Sequence, residues 1–181
     1  MKKFELTAES KINIFGKKLF RIKALISFGD VEEGETGGWI EKEENLEQSS
    51  GNAWVYGNAE VYGNARVYGN AWVSGNARVY GNARVSGNAR VSGNARVSGD
   101  AEVSGNADYT TIHGFGTQFR TTTFFQCEDK QIRVSCGCFL GTIPEFREQV
   151  KNTREGKIAE EYLMIADLME KHFVKEKESG E

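Results

Sequence analysis

Between residues 51 and 105 apolar and polar positions alternate on a fixed beat: glycine at every sixth position from Gly51 to Gly105, with alanine and then valine at two-residue intervals behind it. Each interval reads Gly-(Asn/Asp)-Ala-x-Val-(Tyr/Ser), and Gly99-Asp100 is the one departure from Gly-Asn within the run. In an extended chain alternate side chains share a face, so Ala and Val point one way and the residue between them points the other. Three such residues are too few for a stable strand. The Tyr/Ser-Gly-Asn that follows reads as a corner, because Gly and Asn tolerate the positive φ of a sharp turn. Six residues therefore make one side and one corner of a polygon, and the apolar face is buried only if coils stack and pair their backbones above and below. Open ends of such a stack would template aggregation, so caps are expected.

The beat stops at both ends. Residues 11–29, KINIFGKKLFRIKALISFG, read as two β segments around a Gly16-Lys17-Lys18 turn. Residues 119–139 read as a hairpin turning near Asp129-Lys130, a register that sets Cys127 opposite Ile132. Thr142-Ile143-Pro144-Glu145 forms a capping box with proline near a helix start, which predicts a helix from about 143 to 153. A second helix, about 156 to 174, carries Ile158, Tyr162, Ile165, Met169 and Phe173 at helical spacing, and the tail KEKESGE should fray. The fold class is thus mainly β, with three parts: a β cap over 1–50, the repeat over 51–107, and an α+β unit over 108–181.

The repeat resembles the hexapeptide-repeat proteins, and the resemblance implies a left-handed parallel β-helix of triangular section with about 18 residues per coil and about three coils here. Gly37-Gly38-Trp39-Ile40 and Asn45-Leu46, leading into Gly51-Asn52, resemble the leading segment of enterobacterial and phage hexapeptide-repeat proteins classed as transferases. The C-terminal stretches YTTIHGFG and EYLMIADLMEKHF are similar to segments of phage and prophage proteins of Firmicutes. If the coil has that length, the outward residues fall into columns: Trp54, Trp72 and Arg90; Glu60, Arg78 and Arg96; Arg66, Arg84 and Glu102. Corners drift in parallel from Tyr56, Tyr62, Tyr68 and Tyr80 to Ser86, Ser92, Ser98 and Ser104. Trp, Tyr and Arg are the residues that interfaces concentrate, so Trp54, Trp72, Arg90, Tyr56, Tyr62, Arg78, Arg84 and Arg96 are the candidate binding residues. The same side chains also stack on their own ladder neighbours, which is their plain structural role.

Chemistry adds less. Acyl transfer, which many hexapeptide-repeat proteins perform with a histidine base, has one candidate in His113, and the coils carry no histidine and no inserted loop. Two histidines in the chain are too few for the three-histidine metal site of γ-class carbonic anhydrases. Cys127, Cys136, Cys138 and His113 are ligand types for zinc, but the expected hairpin register holds Cys127 far from Cys136. Cys136 and Cys138 remain as a minor metal candidate, with small apolar packing beside Val134 and Ile132 as the simpler reading. Asp30, Glu32, Glu33, Glu35, Glu41, Glu43, Glu44 and Glu47 form an acidic stretch, either a decoy for a phosphate-binding surface or a solvated loop.

Composition narrows the partners. With 23 basic and 26 acidic residues the formal charge is −3, and the arginines circle the prism, so nucleic acid is a disfavoured partner. No apolar run approaches the roughly 20 residues of a membrane span, and three cysteines fit a reducing compartment, so a cytoplasmic protein without cofactor is expected. The sequence reading is a non-catalytic, phage-type interaction protein that binds a protein partner, a host nucleoprotein among the candidates, and self-associates as a dimer or trimer. Inhibition of a host enzyme or defence nuclease is its concrete form, and acyl transfer through His113 is the alternative.

Overall fold

The computed structural model describes residues 2–174, and the tail expected to fray lies outside the described residues. The chain opens with a hairpin, β1 (Phe4–Ile12) and β2 (Lys18–Ala24), and continues through β3 (Thr36–Ile40). Nine two-residue rungs follow: β4 (Trp54–Val55), β5 (Glu60–Val61), β6 (Arg66–Val67), β7 (Trp72–Val73), β8 (Arg78–Val79), β9 (Arg84–Val85), β10 (Arg90–Val91), β11 (Arg96–Val97) and β12 (Glu102–Val103). A four-stranded antiparallel sheet, β13 (Tyr109–Phe115), β14 (Arg120–Gln126), β15 (Ile132–Cys136) and β16 (Phe139–Thr142), leads into α1 (Ile143–Thr153) and α2 (Gly156–His172).

The rungs stack in parallel every third one, giving β4-β7-β10, β5-β8-β11 and β6-β9-β12 as the three faces of a solenoid. Every alanine from Ala53 to Ala101 and every valine from Val55 to Val103 on the beat is buried. Each valine so buried contributes about 2 kcal/mol. Neighbouring coils are tied by backbone bonds of one polarity: Trp54 N–H donates to Ala71 O at 3.1 Å, Tyr56 N–H to Val73 O at 2.8 Å. At the corners glycine alone takes positive φ, from +58° at Gly57 to +72° at Gly81. The asparagine beside it does something else. Asn64 donates to Asn82 and Asn82 to Asp100 across coils, at 3.3 and 3.0 Å, as do Asn70 to Asn88 and Asn76 to Asn94.

The solenoid has about four turns, one more than the repeats alone supply. β3 pairs in parallel with β5, setting Trp39 beside Glu60 and Ile40 beside Val61, and Leu46 bridges Val67. Gly37 and Gly38 make room for this turn: a Cβ at Gly38 would lie 2.6 Å from Val55 Cγ1, and one at Gly37 2.7 Å from the Trp54 ring. Gly38-Trp39-Ile40 is the Ala-x-Val unit with its alanine pared to glycine. Extra residues before Gly51 break the beat and hide it.

Both ends are closed by side chains matched to the polarity of the ladder. First-coil carbonyls need donors, and Lys3 Nζ serves Ala53 O, Arg21 Nη1 serves Gly57 O, and Asn45 Nδ2 serves Gly63 O and Ala65 O. Last-coil N–H groups need acceptors. Arg90 N–H donates to Asn106 Oδ1, Ser92 N–H to Tyr109 Oη and Arg96 N–H to Thr123 Oγ1, while Glu128 N–H returns to Asp100 O. The edges that would otherwise pair with another chain are thereby occupied.

The C-terminal unit differs from the sequence expectation in register. Gln126, not Cys127, pairs with Ile132, because Glu128-Asp129-Lys130 form the turn with Lys130 at φ +63°. Gly137-Cys138 is itself a turn, with Gly137 at φ +64°, so Cys138 is exposed there and does not continue the face of Cys136. The predicted capping box is present, with Thr142 Oγ1 accepting from Glu145 N–H and Glu145 Oε2 accepting from Thr142 N–H at 2.7 Å. Phe124, Val134, Phe146, Val150, Tyr162 and Ile165 form the core between sheet and helices.

Candidate functional site

The three outward columns exist in the register the beat implies: Trp54-Trp72-Arg90, Glu60-Arg78-Arg96 and Arg66-Arg84-Glu102. Outward does not mean exposed, however. Trp54 has no exposed surface, because Phe4 of β1 and Phe28 close over it edge-on at 6.2 and 5.4 Å between centroids. It belongs to the cap core, a correction to its reading as a surface residue. Trp72 is half-buried, with the Arg90 guanidinium 4.5 Å over its ring and Tyr56 against it at 5.5 Å. Burial, together with Glu35 and Asp30 nearby, raises the Tyr56 pKa.

The arginines are largely engaged within the chain. Arg78 lies 3.4 Å from the buried Glu60 carboxylate, which also holds Lys11 at 2.8 Å. Arg96 donates to Gly137 O at 3.1 Å, tying the last coil to the C-terminal unit, and Arg84 stands 3.9 Å from Glu128. The acidic stretch is divided. Glu43 pairs with Lys2 at 2.8 Å and Glu41 with Lys17 at 3.3 Å, whereas Glu32, Glu33 and Glu35 occupy the loop between β2 and β3 and Glu44 lies in a short 3-10 turn.

His113 is exposed on β13, with Thr121 Oγ1 3.3 Å from its Nδ1. The cysteines are separated: Cys127 lies in the solenoid core, its thiol pushed up to about 11 by burial, while Cys136 accepts from Thr122 Oγ1 at 3.2 Å against the C-terminal core. Among the described residues no three His, Cys, Asp or Glu side chains converge as metal ligands, and no helix is long and apolar enough to cross a membrane.

The most conspicuous exposed feature was not among the candidates. At the tip of the β1–β2 hairpin Ile12, Ile14 and Phe15 are 65%, 70% and 57% exposed. The tip is held by Asn13, whose Oδ1 accepts from the N–H groups of Phe15 and Lys17. Phe15 lies 6.2 Å from Tyr62 and 6.0 Å from Tyr80, and those two rings stack at 5.1 Å and 2°. Tyr62 is itself buried, and this burial raises its pKa. The tyrosine pair thus backs the tip, and the exposed surface itself is made by Ile12, Ile14 and Phe15. Lys18, at the start of β2, lies over the Phe20 ring at 5.1 Å. A signal was present in the sequence: Ile14 and Phe15 stand beside a Gly16 turn, where side chains face water. A second apolar pair, Met164 and Leu168, is exposed one helical turn apart on α2.

Residues 59–75, 77–90 and 89–105 match the YdcK beta solenoid repeat family. A comparison with curated proteins finds no match. The matched stretches run from β5 through β12, so the similarity is to the repeat, and with the parallel ladders above it places the chain among repeat β-helix proteins, here closed at each end by a unit of its own.

Proposed function

We propose that this chain is a non-catalytic interaction protein that binds a protein partner through the tip of the β1–β2 hairpin. The observation that carries the reading is the exposure of Ile12, Ile14 and Phe15 beside the Tyr62-Tyr80 stack. Large apolar groups concentrated in four residues are costly in water, and a contiguous exposed patch of this kind marks a contact surface. The prism keeps it in shape, since the tyrosines are fixed by the coil ladder and the hairpin by Asn13. Lys17 is paired with Glu41, but Lys18 flanks the tip with no carboxylate within ion-pair distance among the described residues, so the fitting partner offers an apolar groove with an acidic group at its rim. Acyl transfer draws no such support, because His113 stands on an open strand with a threonine for its neighbour.

The test is a pull-down from host lysate with wild type and with Ile14→Ser/Phe15→Ser, both positions being exposed and the fold checked by circular dichroism. A protein retained by wild type and lost by the variant is expected. Whether that protein is a host enzyme or defence nuclease decides the inhibitor form of the reading. Identical partner sets, or a surface hidden by self-association in sedimentation, would overturn the proposal.

A further inference from the structure

The C-terminal unit contains a cleft of about 100 Å3 between the turns of its sheet and the two helices. Its apolar wall is Phe139, Phe146, Val150 and Cys136, with the Phe139 and Phe146 rings 5.5 Å apart and Tyr162 edge-on to Phe146 at 5.8 Å. Arg120 and Arg154 line the same cleft. What singles the cleft out is that two exposed arginines border one apolar wall. Arg133 binds Asp129 at 2.6 Å, and Arg147 binds Asp167 and Glu170 at 2.7 Å each, yet among the described residues no carboxylate lies within ion-pair distance of Arg120 or Arg154. Arg154 Nη1 donates to the adjacent Thr153 O, and both guanidinium groups are near enough to the Tyr162 hydroxyl to oppose the rise that burial gives its pKa.

Two glycines keep the cleft in this form. A Cβ on Gly137, at φ +64°, would lie 2.5 Å from Arg120 Nη1, and one on Gly116, at φ +72°, 2.6 Å from Tyr162 Oη. The Cys-Gly-Cys and His-Gly-Phe-Gly stretches, unexplained by the solenoid, are thereby accounted for as tight turns beside Arg120 and Tyr162 whose positive φ calls for glycine.

We infer that this cleft is a binding site for a small aromatic carboxylate, its ring against Phe139, Phe146 and Val150 and its carboxylate between Arg120 and Arg154. Two guanidinium groups held on one cleft without a counterion favour an anion, and the planar fork of arginine suits a carboxylate. Size limits the body of the ligand: at about 100 Å3 the cleft is smaller than the roughly 150 Å3 cavity that takes benzene, so it accepts no more than one ring, seated in part and with its charged end at the open rim. The inference is independent of the hairpin tip.

The probe is benzoate, observed by saturation-transfer NMR against the full chain, with benzyl alcohol as the uncharged ring. Benzoate is expected to bind with Kd of about 1 mM or tighter, benzyl alcohol at least about 10-fold more weakly. Arg120→Gln/Arg154→Gln should weaken benzoate by a similar factor while its circular dichroism and melting stay those of wild type. In a second variant, Gln149→Trp, bulk at the cleft rim should also lower binding with both arginines intact. Absence of benzoate binding at about 10 mM, equal binding of benzyl alcohol, or undiminished binding by the double arginine variant would overturn the assignment.

Discussion

Asn45 is fully buried, and its amide is used four times: Oδ1 accepts from the N–H groups of Glu41 and Lys42, and Nδ2 donates to Gly63 O and Ala65 O. Asn45→Ala leaves those carbonyls and N–H groups without partners, and a loss on the order of 3 kcal/mol is expected in urea unfolding. Gly81 and Gly99 separate two roles of the corner glycine. Both have positive φ, but a Cβ at Gly81 would lie 2.9 Å from Gly99 N, whereas one at Gly99 meets nothing within 4 Å. Gly81→Ala should therefore cost about 2 kcal/mol or more and Gly99→Ala about 1 kcal/mol, read from their midpoints. Burial lowers the Lys3 ammonium to about 8, against the pull of Glu47. Between pH 8 and the unfolded value of 10.5 the unfolded chain binds more protons at this site, so its contribution to stability rises with pH there. The gain is at most about 3 kcal/mol, and Cys127, whose raised thiol acts in the opposite sense above pH 9, limits the clean window to pH 8–9. Wild type should gain on Lys3→Met across that window, and parallel curves for the two would contradict the assignment.

At the scale of elements, the rungs and helices were legible because each rests on a local rule that tertiary context did not override. The Ala-x-Val beat marks β4 to β12 residue by residue, and Thr142 with Glu145 marks the start of α1. Thr142→Ala should destabilise the C-terminal unit by about 1 kcal/mol, seen as a lower melting temperature; Glu145 then loses the Thr142 hydroxyl but keeps the N–H of residue 142, the main cause that holds its carboxyl below the usual range. What failed to show were the elements made by pairing at a distance. β3 is a solenoid rung, but Gly38 stands where the beat has alanine. β13 contains Gly114 and is followed by Gly116, glycines that weaken a local strand signal, and it is formed by pairing with β14. The hairpin register slipped by one because a lysine, not a glycine, takes the positive φ.

At the scale of the whole molecule, sequence gives the columns and structure decides which part of each remains at the surface. Trp54 and Glu60 stand in outward positions, yet the N-terminal hairpin covers both. The same packing that hides them leaves Ile12, Ile14 and Phe15 in water, which no periodicity predicts because the tip obeys none. The polarity of the ladder explains why the two end units are unlike: donors close one end and acceptors the other. The claim on which the functional account depends is that recognition occurs at this tip and not at the exposed face of α2. Its most direct test is the affinity of the purified, captured partner for wild type, for Ile14→Ser/Phe15→Ser and for Met164→Ser/Leu168→Ser. The account predicts at least about a 10-fold loss for the hairpin variant alone; unchanged affinity there, or a loss confined to the α2 variant, would contradict it.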